Sequence, residues 1–189
     1  MSRTDSNQEI EIKLQVPGVE SARSLIQGMG YAVSVPRTFE VNSIFDTPDT
    51  TLRQRGTLLR LRKAGAKFTM TVKGQASPGK HKSRPEYEVV VSSYDAAQSM
   101  LSQLGYQVVF QYEKFRTEFD ITNQYGTITL DETPIGVFLE LEGSPDWIDV
   151  TACTLGFSLS DYVVESYGSL YSKNCIKNNT VPGNMTFAR

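Results

Sequence analysis

The chain has 189 residues, with 19 lysines and arginines against 21 aspartates and glutamates, and a formal net charge of −2. This length suffices for one sizeable domain with its own core and is too short for two comfortable ones. Since neither sign of charge dominates, the overall balance gives no reason to expect a nucleic-acid or membrane partner.

The cysteines and the N-terminal segment bear on the cellular compartment. Cys153 and Cys175 are the only cysteines and form no C-x-x-C pair, which favours a reduced, cytosolic setting. The polar residues 1–8 lack the apolar segment of a signal peptide. No apolar run approaches the roughly 20 residues that span a bilayer. We therefore expect a cytoplasmic protein without a membrane partner.

The predicted elements are strands interrupted by a few helices. Strands are indicated where apolar and polar residues alternate with a period of two, and helices where apolar residues recur every three or four positions. In chain order they are strand Glu9–Val16, helix Gly18–Tyr31, strands Thr38–Asp46, Thr57–Lys63, Lys67–Lys73 and Glu86–Ser92, helix Ser93–Tyr106, strands Val108–Asp120, Gly126–Asp131 and Val137–Glu142, and helices Pro145–Gly156 and Ser160–Tyr171.

Local signals indicate several ends and linkers. Gly30 and Gly105 are suited to the C-terminal stop of a helix. The segment Gly74–Pro85, rich in Gly, Pro, Lys and Ser, predicts a mobile basic loop. Beyond the last helix the sequence is polar. We therefore predict a single domain over residues 1–172, followed by a loose polar tail over residues 173–189.

The number and spacing of the strands indicate the fold class. About eight strands separated by turn-rich pieces favour a mainly β (α+β) protein, an antiparallel sheet or barrel with helices outside it. A Glu-x-Glu motif followed by a predicted helix that ends in Gly and an aromatic residue occurs three times. The three copies begin at Glu9, Glu86 and Glu140. This recurrence predicts repeated units that close one barrel.

The predicted strands carry one ionic face and one apolar face, because successive residues of a strand point to opposite sides. Alternation alone favours a sheet with one solvated side. However, the like charges fall in pairs at positions i and i+2, which repel unless counterions lie between them. These pairs are Glu9/Glu11, Glu86/Glu88, Glu140/Glu142, Arg60/Arg62 and Lys114/Arg116. We therefore predict a barrel whose charged interior holds a polyphosphate on its basic groups and Mg²⁺ or Mn²⁺ on its carboxylates.

A series of short motifs follows in a fixed order along nearly the whole chain. They are Glu9-x-Glu11-x-Lys13, Phe45-Asp46-Thr47, Arg60-x-Arg62, Thr71-Val72-Lys73, Arg84-Pro85-Glu86-Tyr87-Glu88, Lys114-x-Arg116, Thr129-Leu130-Asp131, Gly136, Glu140-x-Glu142, and Ser166-Tyr167 with Leu170. The ordered set resembles the CYTH superfamily, the triphosphate tunnel metalloenzymes. One departure is that Val164-Glu165 precede the Ser-Tyr pair, where family members often have a basic residue.

The resemblance implies a fold and a set of site residues. The fold is an eight-stranded antiparallel β-barrel tunnel with a charged interior and flanking helices. The implied ligands of Mg²⁺ or Mn²⁺ are Glu9, Glu11, Asp131, Glu140 and Glu142. The implied phosphate-binding residues are Lys13, Arg60, Arg62, Lys73, Arg84, Lys114 and Arg116. The expected catalytic residues are Glu9, Glu11, Lys13 and Lys73. Two further glutamates, Glu86 and Glu88, are expected to orient the basic groups or to bind a second metal.

Three functions are compatible with this pattern. Metal-dependent hydrolysis of inorganic triphosphate, thiamine triphosphate or a nucleoside triphosphate is favoured, because it needs only a phosphate clamp, a metal and water. The alternative is a class IV adenylyl cyclase that converts ATP to cyclic AMP and pyrophosphate. A non-catalytic binder of polyphosphate or nucleotides is disfavoured by the carboxylate set. The expected partner is a small-molecule triphosphate rather than a nucleic-acid polymer, and the protein is expected to be a monomer or a homodimer.

Overall fold

The computed structural model describes residues 7–121 and 126–188. Its strands are β1 (Gln8–Val16), β2 (Ala32–Asp46), β3 (Leu58–Ala64), β4 (Lys67–Lys73), β5 (Lys82–Val91), β6 (Gln107–Asp120), β7 (Gly126–Thr133), β8 (Gly136–Gly143) and β9 (Tyr162–Val163). Its helices are α1 (Val19–Gly28), α2 (Thr51–Gln54), α3 (Tyr94–Gln103), α4 (Pro145–Thr154) and α5 (Tyr167–Lys177), with a short 3₁₀ turn at Leu159–Asp161. None of the helices in these two ranges is both long and apolar enough to cross a membrane.

Strands β1 to β8 form a closed antiparallel barrel. The order around the barrel is β5-β4-β3-β2-β6-β7-β8-β1, and β1 pairs with β5 to close it. The short β9 pairs with β1 opposite Lys13 and Leu14, beyond the point where β5 leaves it. Closure pairs the backbone N–H and C=O groups of β1 and β5, which at a free sheet edge would be open to pairing with other chains. The predicted eight-stranded antiparallel barrel with flanking helices is confirmed.

The apolar face of the barrel lies outside and is covered by the helices. On one side Ile12 of β1 and Leu141 of β8 pack with Ile26 of α1 and Ile148 of α4, and all four side chains are fully buried. Burying a side chain of this size contributes about 1.5–3 kcal/mol to folding. On another side α3 covers Leu61 of β3. Because the helices occupy the outer face, the ionic face of each strand is left to the interior.

The helix ends follow the predicted glycine signals. Gly30 and Gly105 have φ angles of 83° and 86°, which glycine adopts without steric cost. After the first of them, the Tyr31 backbone N–H donates to the Ile26 carbonyl at 3.4 Å, and Tyr106 donates to Leu101 in the same way at 3.0 Å. These bonds satisfy carbonyls that the helix end leaves open. The predicted stops of the first two helices are therefore confirmed.

Two strands begin several residues earlier than predicted. Strand β2 starts at Ala32, because its pairing with β6 continues past a register irregularity that contains Pro36. Proline lacks the N–H for ladder pairing and is tolerated at such irregular positions. Strand β5 starts at Lys82, because this segment pairs with β1, so that Glu11 lies opposite Lys82. The prediction of a mobile loop as far as Pro85 is therefore wrong for residues 82–85.

The C-terminal region differs most from the prediction. The helix predicted over Ser160–Tyr171 is wrong, since β9 intervenes and α5 starts after Ser166, whose hydroxyl accepts a hydrogen bond from the Ser169 N–H at 3.2 Å. Helix α5 then extends to Lys177. Further on, Met185 is fully buried and its carbonyl accepts from the Glu113 N–H at 2.9 Å. The tail is thus not loose at this point but packs on β6.

Candidate functional site

The barrel contains a cavity of about 790 Å³ whose wall carries many charged side chains. All seven residues predicted to bind phosphate line this cavity. They are Lys13, Arg60, Arg62, Lys73, Arg84, Lys114 and Arg116. The glutamates on the wall are Glu9, Glu11, Glu86, Glu88, Glu140 and Glu142. The structure therefore brings nearly the whole predicted site together in one chamber.

The register of β1 against its neighbours positions the acidic part of the wall. Across β1 and β8, Glu11 lies opposite Glu142, and Lys13 lies opposite Glu140. Across β1 and β5, Glu9 lies opposite Arg84. Directly opposed residues of an antiparallel pair project from the same face of the sheet. Since the alternation puts all of these side chains inside, four glutamates gather where β1 and β8 meet.

Glu9 is buried between basic side chains of β4 and β5. Its carboxylate contacts Lys73 Nζ, and its second oxygen accepts from Arg84 Nε at 3.1 Å. Lys73 Nζ also lies 2.9 Å from Glu86. Burial and the negative charge of Glu11 raise the pKa of Glu9 above its usual value, in spite of Lys73. A cation close to Glu9 and Glu11 would relieve this repulsion.

Glu11 lies between two lysines. Lys13 Nζ is 3.3 Å away and Lys82 Nζ is 2.8 Å away. Burial disfavours the charged carboxylate, but the positive charges of Lys13 and Lys82 outweigh it and lower the pKa of Glu11. Burial also lowers the pKa of Lys82 in spite of Glu11. Lys82 and Glu11 therefore form a buried ion pair in which the charge of each group is stabilised by the other.

Glu142 is the most open of the four gathered glutamates and faces Glu11. Although its surface is open to the cavity, enclosure in the barrel wall and the charge of Glu9 raise the pKa of Glu142 to about 7. A carboxyl with this pKa has too little positive charge around it. The local arrangement therefore favours the arrival of a cation.

Asp131 lies at the centre of a separate buried cluster. It is fully buried and accepts from Lys114 Nζ at 2.6 Å, from Arg116 at 2.7 and 2.8 Å, and from the Tyr167 hydroxyl at 2.8 Å. Arg116 also contacts Glu140. Asp131 does not belong to the cavity surface, unlike the other predicted metal ligands. In this arrangement Asp131 holds two basic side chains that do line the cavity.

Arg60 occupies the opposite wall. Its guanidinium donates to the Thr71 hydroxyl at 3.0 Å and lies 3.5 Å from Glu88 and 3.8 Å from Glu86. Arg60 Nε is buried without a hydrogen-bond partner among the described residues. Buried donors in proteins nearly always have a partner. An anion in the cavity would supply one.

Three functional candidates were absent from the sequence-based set. Glu40 is buried between Arg62 at 3.3 Å and Lys114 at 3.7 Å. Its position in the predicted strand β2 would have placed it on the inner face by period two. Lys82 falls in the predicted loop Gly74–Pro85, where strand alternation predicts no inner face. Tyr167 belongs to the Ser166-Tyr167 motif, and no local signal in the sequence indicates its contact with Asp131.

The chemistry of the carboxylates fits a hard divalent ion, since Mg²⁺ and Mn²⁺ prefer oxygen ligands. Their present arrangement is different, because lysines and arginines separate them. Within residues 7–121 and 126–188, no three Asp, Glu, His or Cys side chains are grouped at the spacing of a metal site. The residues that could hold an ion are Glu9, Glu11, Glu140 and Glu142. The first three would have to give up their basic partners to do so.

Comparison with known proteins agrees with this architecture. In sequence, the chain is 26% identical over 136 residues to the "putative adenylate cyclase" of Methanocaldococcus jannaschii, an overlap of 72% of this chain and 77% of that protein. In structure, it matches a "putative adenylate cyclase" from Vibrio parahaemolyticus with a TM-score of 0.75 and 25% identity, covering 87% of this chain and 97% of the other.

A second solved structure shares the fold at lower identity. It is a Hippeastrum protein described as a "putative adenylyl cyclase" with a dominant triphosphatase activity, at a TM-score of 0.64 and 16% identity, covering 92% of this chain and 97% of that one. The sequence model of the CYTH domain matches residues 7–146, which is most of the chain. The chain therefore belongs to the CYTH domain family.

Proposed function

We propose that this protein hydrolyses a triphosphate substrate in a reaction that depends on Mg²⁺ or Mn²⁺, inside the barrel. The observation that carries the proposal is the direct pairing of Lys13 with Glu140 beside the pair of Glu11 and Glu142. These pairs bring a lysine next to a group of carboxylates on the wall of one cavity. Substrate phosphates and a metal ion would meet at this boundary.

The ion pairs of the cavity suggest how one interior could accept both a triphosphate and a divalent ion. Each inner lysine or arginine is now neutralised by a glutamate, as Lys73 is by Glu9. Phosphate oxygens would replace Glu9, Glu11 and Glu140 on the basic groups, and these released glutamates would repel one another until a divalent ion bound. Binding of triphosphate and metal should therefore be cooperative.

The basic wall would neutralise and straighten the triphosphate. Arg60, Arg62 and Arg116 are suited to this role, because a guanidinium can give two parallel hydrogen bonds to a phosphate. Lys114 and Arg116 would be kept in position by Asp131, and Arg60 by Glu86 and Glu88. We thus propose a positioning role for Asp131 in place of metal binding.

The acidic wall would hold the divalent ion through Glu9, Glu11, Glu140 and Glu142. When bound, such an ion supplies positive charge to phosphate oxygens and lowers the pKa of a coordinated water. Lys13 and Lys73 lie beside these glutamates and would stabilise the charge that develops on the transferred phosphoryl group. No side-chain nucleophile is required.

ATP cyclisation is the second candidate function. It is favoured by the names of the Methanocaldococcus and Vibrio relatives, at 26% and 25% identity. The same phosphate clamp would serve, but the attacking group would be a ribose hydroxyl and pyrophosphate would leave.

One experiment tests these proposals. The purified protein is incubated with Mg²⁺ or Mn²⁺ and with tripolyphosphate, thiamine triphosphate or ATP, and orthophosphate, pyrophosphate and cyclic AMP are measured, with EDTA as the control. Hydrolysis predicts metal-dependent orthophosphate release. Cyclic AMP and pyrophosphate without orthophosphate would establish the cyclase instead. Tight binding of these compounds with no product would indicate a binding protein.

A further inference from the structure

Tyr112 lies among basic side chains on the inner wall of the barrel, although it belongs to none of the sequence motifs. It precedes Lys114 by two residues on β6, so both side chains project into the cavity, and both line it. Its register partner on β2 is Asn42, which in turn lies opposite Arg62 of β3. Strand β2 is separated from β1 by three strands in each direction around the barrel. The wall formed by β3, β2 and β6 is therefore across the cavity from the glutamates of β1.

The neighbours of Tyr112 leave its hydroxyl proton for an acceptor in the cavity. The Arg60 guanidinium lies within hydrogen-bonding reach of this hydroxyl, and since a guanidinium can only donate, the phenol oxygen is the acceptor between the two. The other charges that most affect Tyr112 are those of Arg62, Lys114 and Glu40. The first two groups cannot accept a hydrogen bond, and Glu40 is paired with them at 3.3 and 3.7 Å. An anion in the cavity is thus a suitable partner for the Tyr112 proton.

The ring of Tyr112 is held in place on several sides. It belongs to one buried cluster with Phe138 of β8 and Met185 of the C-terminal tail, and its backbone is bridged to Met185. The centroid of the ring lies 5.9 Å from that of Phe110 and 6.2 Å from that of Tyr167. A hydroxyl on a ring packed in this way has little freedom, so it is preorganised to donate in one direction.

The charge around Tyr112 agrees with a role in binding an anion. Burial disfavours the phenolate form, but the positive charges of Arg60, Arg62 and Lys114 outweigh burial and lower the pKa of Tyr112. A tyrosine in a purely apolar core would have a raised pKa instead, because burial alone favours the neutral phenol. A phosphate bound beside these basic groups would offset their charge, so the hydroxyl would keep its proton and could donate it in a hydrogen bond.

We propose that Tyr112 is a further catalytic residue, whose hydroxyl donates a hydrogen bond to an oxygen of the transferred phosphoryl group. This inference rests on the proposed function for the binding of the triphosphate. Tyr112 and Arg60 would contact the phosphoryl group from the wall opposite the carboxylates that we assign to the divalent ion. Charge in phosphoryl transfer is spread over three oxygens of this group, so donors on two walls stabilise it better than donors on one. The proton stays on Tyr112 throughout.

Removal of the hydroxyl alone tests this role. Tyr112→Phe keeps the ring, and the matched control is Tyr94→Phe, which removes a hydroxyl that bonds to Ser43 at 2.7 Å where α3 covers the outer face. The kcat/KM is measured at pH 7 with Mg²⁺ for whichever of ATP, thiamine triphosphate and tripolyphosphate the wild type hydrolyses fastest. We expect it to fall by about tenfold or more in Tyr112→Phe, the scale of losing one hydrogen bond to a charged group, and to be unchanged in Tyr94→Phe. Equal values in the two variants would overturn the proposal.

A double-mutant cycle separates direct contact from an effect that passes through Arg60. The kcat/KM is compared for wild type, Tyr112→Phe, Arg60→Lys and the double variant. If the hydroxyl contacts the substrate, Tyr112→Phe should cost about the same factor in the Arg60→Lys background as in the wild type. If the hydroxyl acts only by positioning the guanidinium, the second substitution should cost nothing further, and the proposal would be wrong.

Two other outcomes have defined readings. If Tyr112→Phe does not fold, as judged by circular dichroism, Tyr112→Leu takes its place, because it also lacks the hydroxyl and keeps an apolar side chain. If the wild type hydrolyses none of the three compounds, the proposed function is wrong, and calorimetric affinities for tripolyphosphate replace kcat/KM. A weaker affinity in Tyr112→Phe than in Tyr94→Phe would then still support the contact with phosphate, whereas equal affinities would overturn it.

Discussion

Lys13 and Glu140 are register partners across β1 and β8, and Lys13 Nζ lies 3.3 Å from a Glu140 carboxylate oxygen. Burial disfavours both charges, but Glu11 and Glu140 raise the pKa of Lys13, while Arg116 and Lys13 keep the pKa of Glu140 well below its usual value. Both groups therefore remain charged at neutral pH. The pair marks the boundary between the basic and the acidic parts of the cavity.

Replacement of Glu140 tests this boundary. Glu140→Gln removes a carboxylate that contacts Lys13 and Arg116 and that we assign to the divalent ion. We expect kcat to fall by about 100-fold or more, the scale of losing one preorganised charged group, and the Mg²⁺ requirement to increase. Both are measured by steady-state hydrolysis over a Mg²⁺ titration. Glu165→Gln serves as the control, because Glu165 pairs with the exposed Lys173. Equal activity of the two variants would refute the assignment.

Asp131 should be important for stability. Asp131→Asn removes the carboxylate that Lys114 and Arg116 share and leaves them with Glu40 and Glu140 as their charged partners. Loss of one partner of a buried ion pair typically costs about 3–5 kcal/mol of unfolding free energy. Tyr167→Phe removes only one hydroxyl from the same cluster and should cost about 1–2 kcal/mol. Urea unfolding at pH 7 measures both. If Asp131→Asn were the milder of the two variants, the buried cluster would not have the central role described above.

The stability contributed by Glu40 should depend on pH. Burial opposes its charge, but Lys114 and Arg62 outweigh burial and lower the pKa of Glu40 from 4.5 to about 2. Because the folded-state pKa is the lower one, the contribution is complete above the unfolded-state pKa and is lost as pH falls from about 4.5 through about 2. This pKa shift corresponds to a contribution of roughly 3 kcal/mol to the free energy of unfolding at pH 7. The free energies of unfolding of wild type and Glu40→Gln, measured with urea, should differ most at pH 7 and converge as the pH falls toward about 2. A difference independent of pH would contradict this explanation.

Asp149 should act on the cavity from outside the barrel. It accepts hydrogen bonds from Lys80 at 2.6 Å, from the Tyr162 hydroxyl at 3.0 Å and from His81 Nε2 at 2.8 Å when that nitrogen is protonated. His81 directly precedes Lys82, which points inward to Glu11. We expect Asp149→Ala to raise KM for the triphosphate by about threefold or more through misplacement of Lys82, with little change in kcat.

The control for this prediction lies on the same helix. Asp146 is exposed in the first turn of α4, so Asp146→Ala changes the charge of the helix without loosening the segment before β5. Steady-state kinetics of both variants should separate the two effects. A rise of KM in Asp146→Ala equal to that in Asp149→Ala would indicate a general charge effect and contradict the positioning role.

Much of the inner face was predictable because strand alternation is local. Residues two apart in a strand share a face whatever they pair with, so Glu9, Glu11 and Lys13 could be assigned together. The helix ends at Gly30 and Gly105 were predictable for the same reason. Each depends on one residue that adopts the left-handed backbone conformation, which glycine does without steric cost.

Only the tertiary structure decided which faces meet. Lys82 lies inside because its segment pairs with β1, about 70 residues earlier, and Tyr167 reaches Asp131 across 36 residues. Met185 is buried because the tail bonds to β6. By itself the sequence determined the charged strand faces and the family pattern that begins with Glu9. It could not determine the closure of the barrel, the ion-pair partners or the packing of the tail on β6, because these depend on hydrogen bonds and packing between segments far apart in the chain.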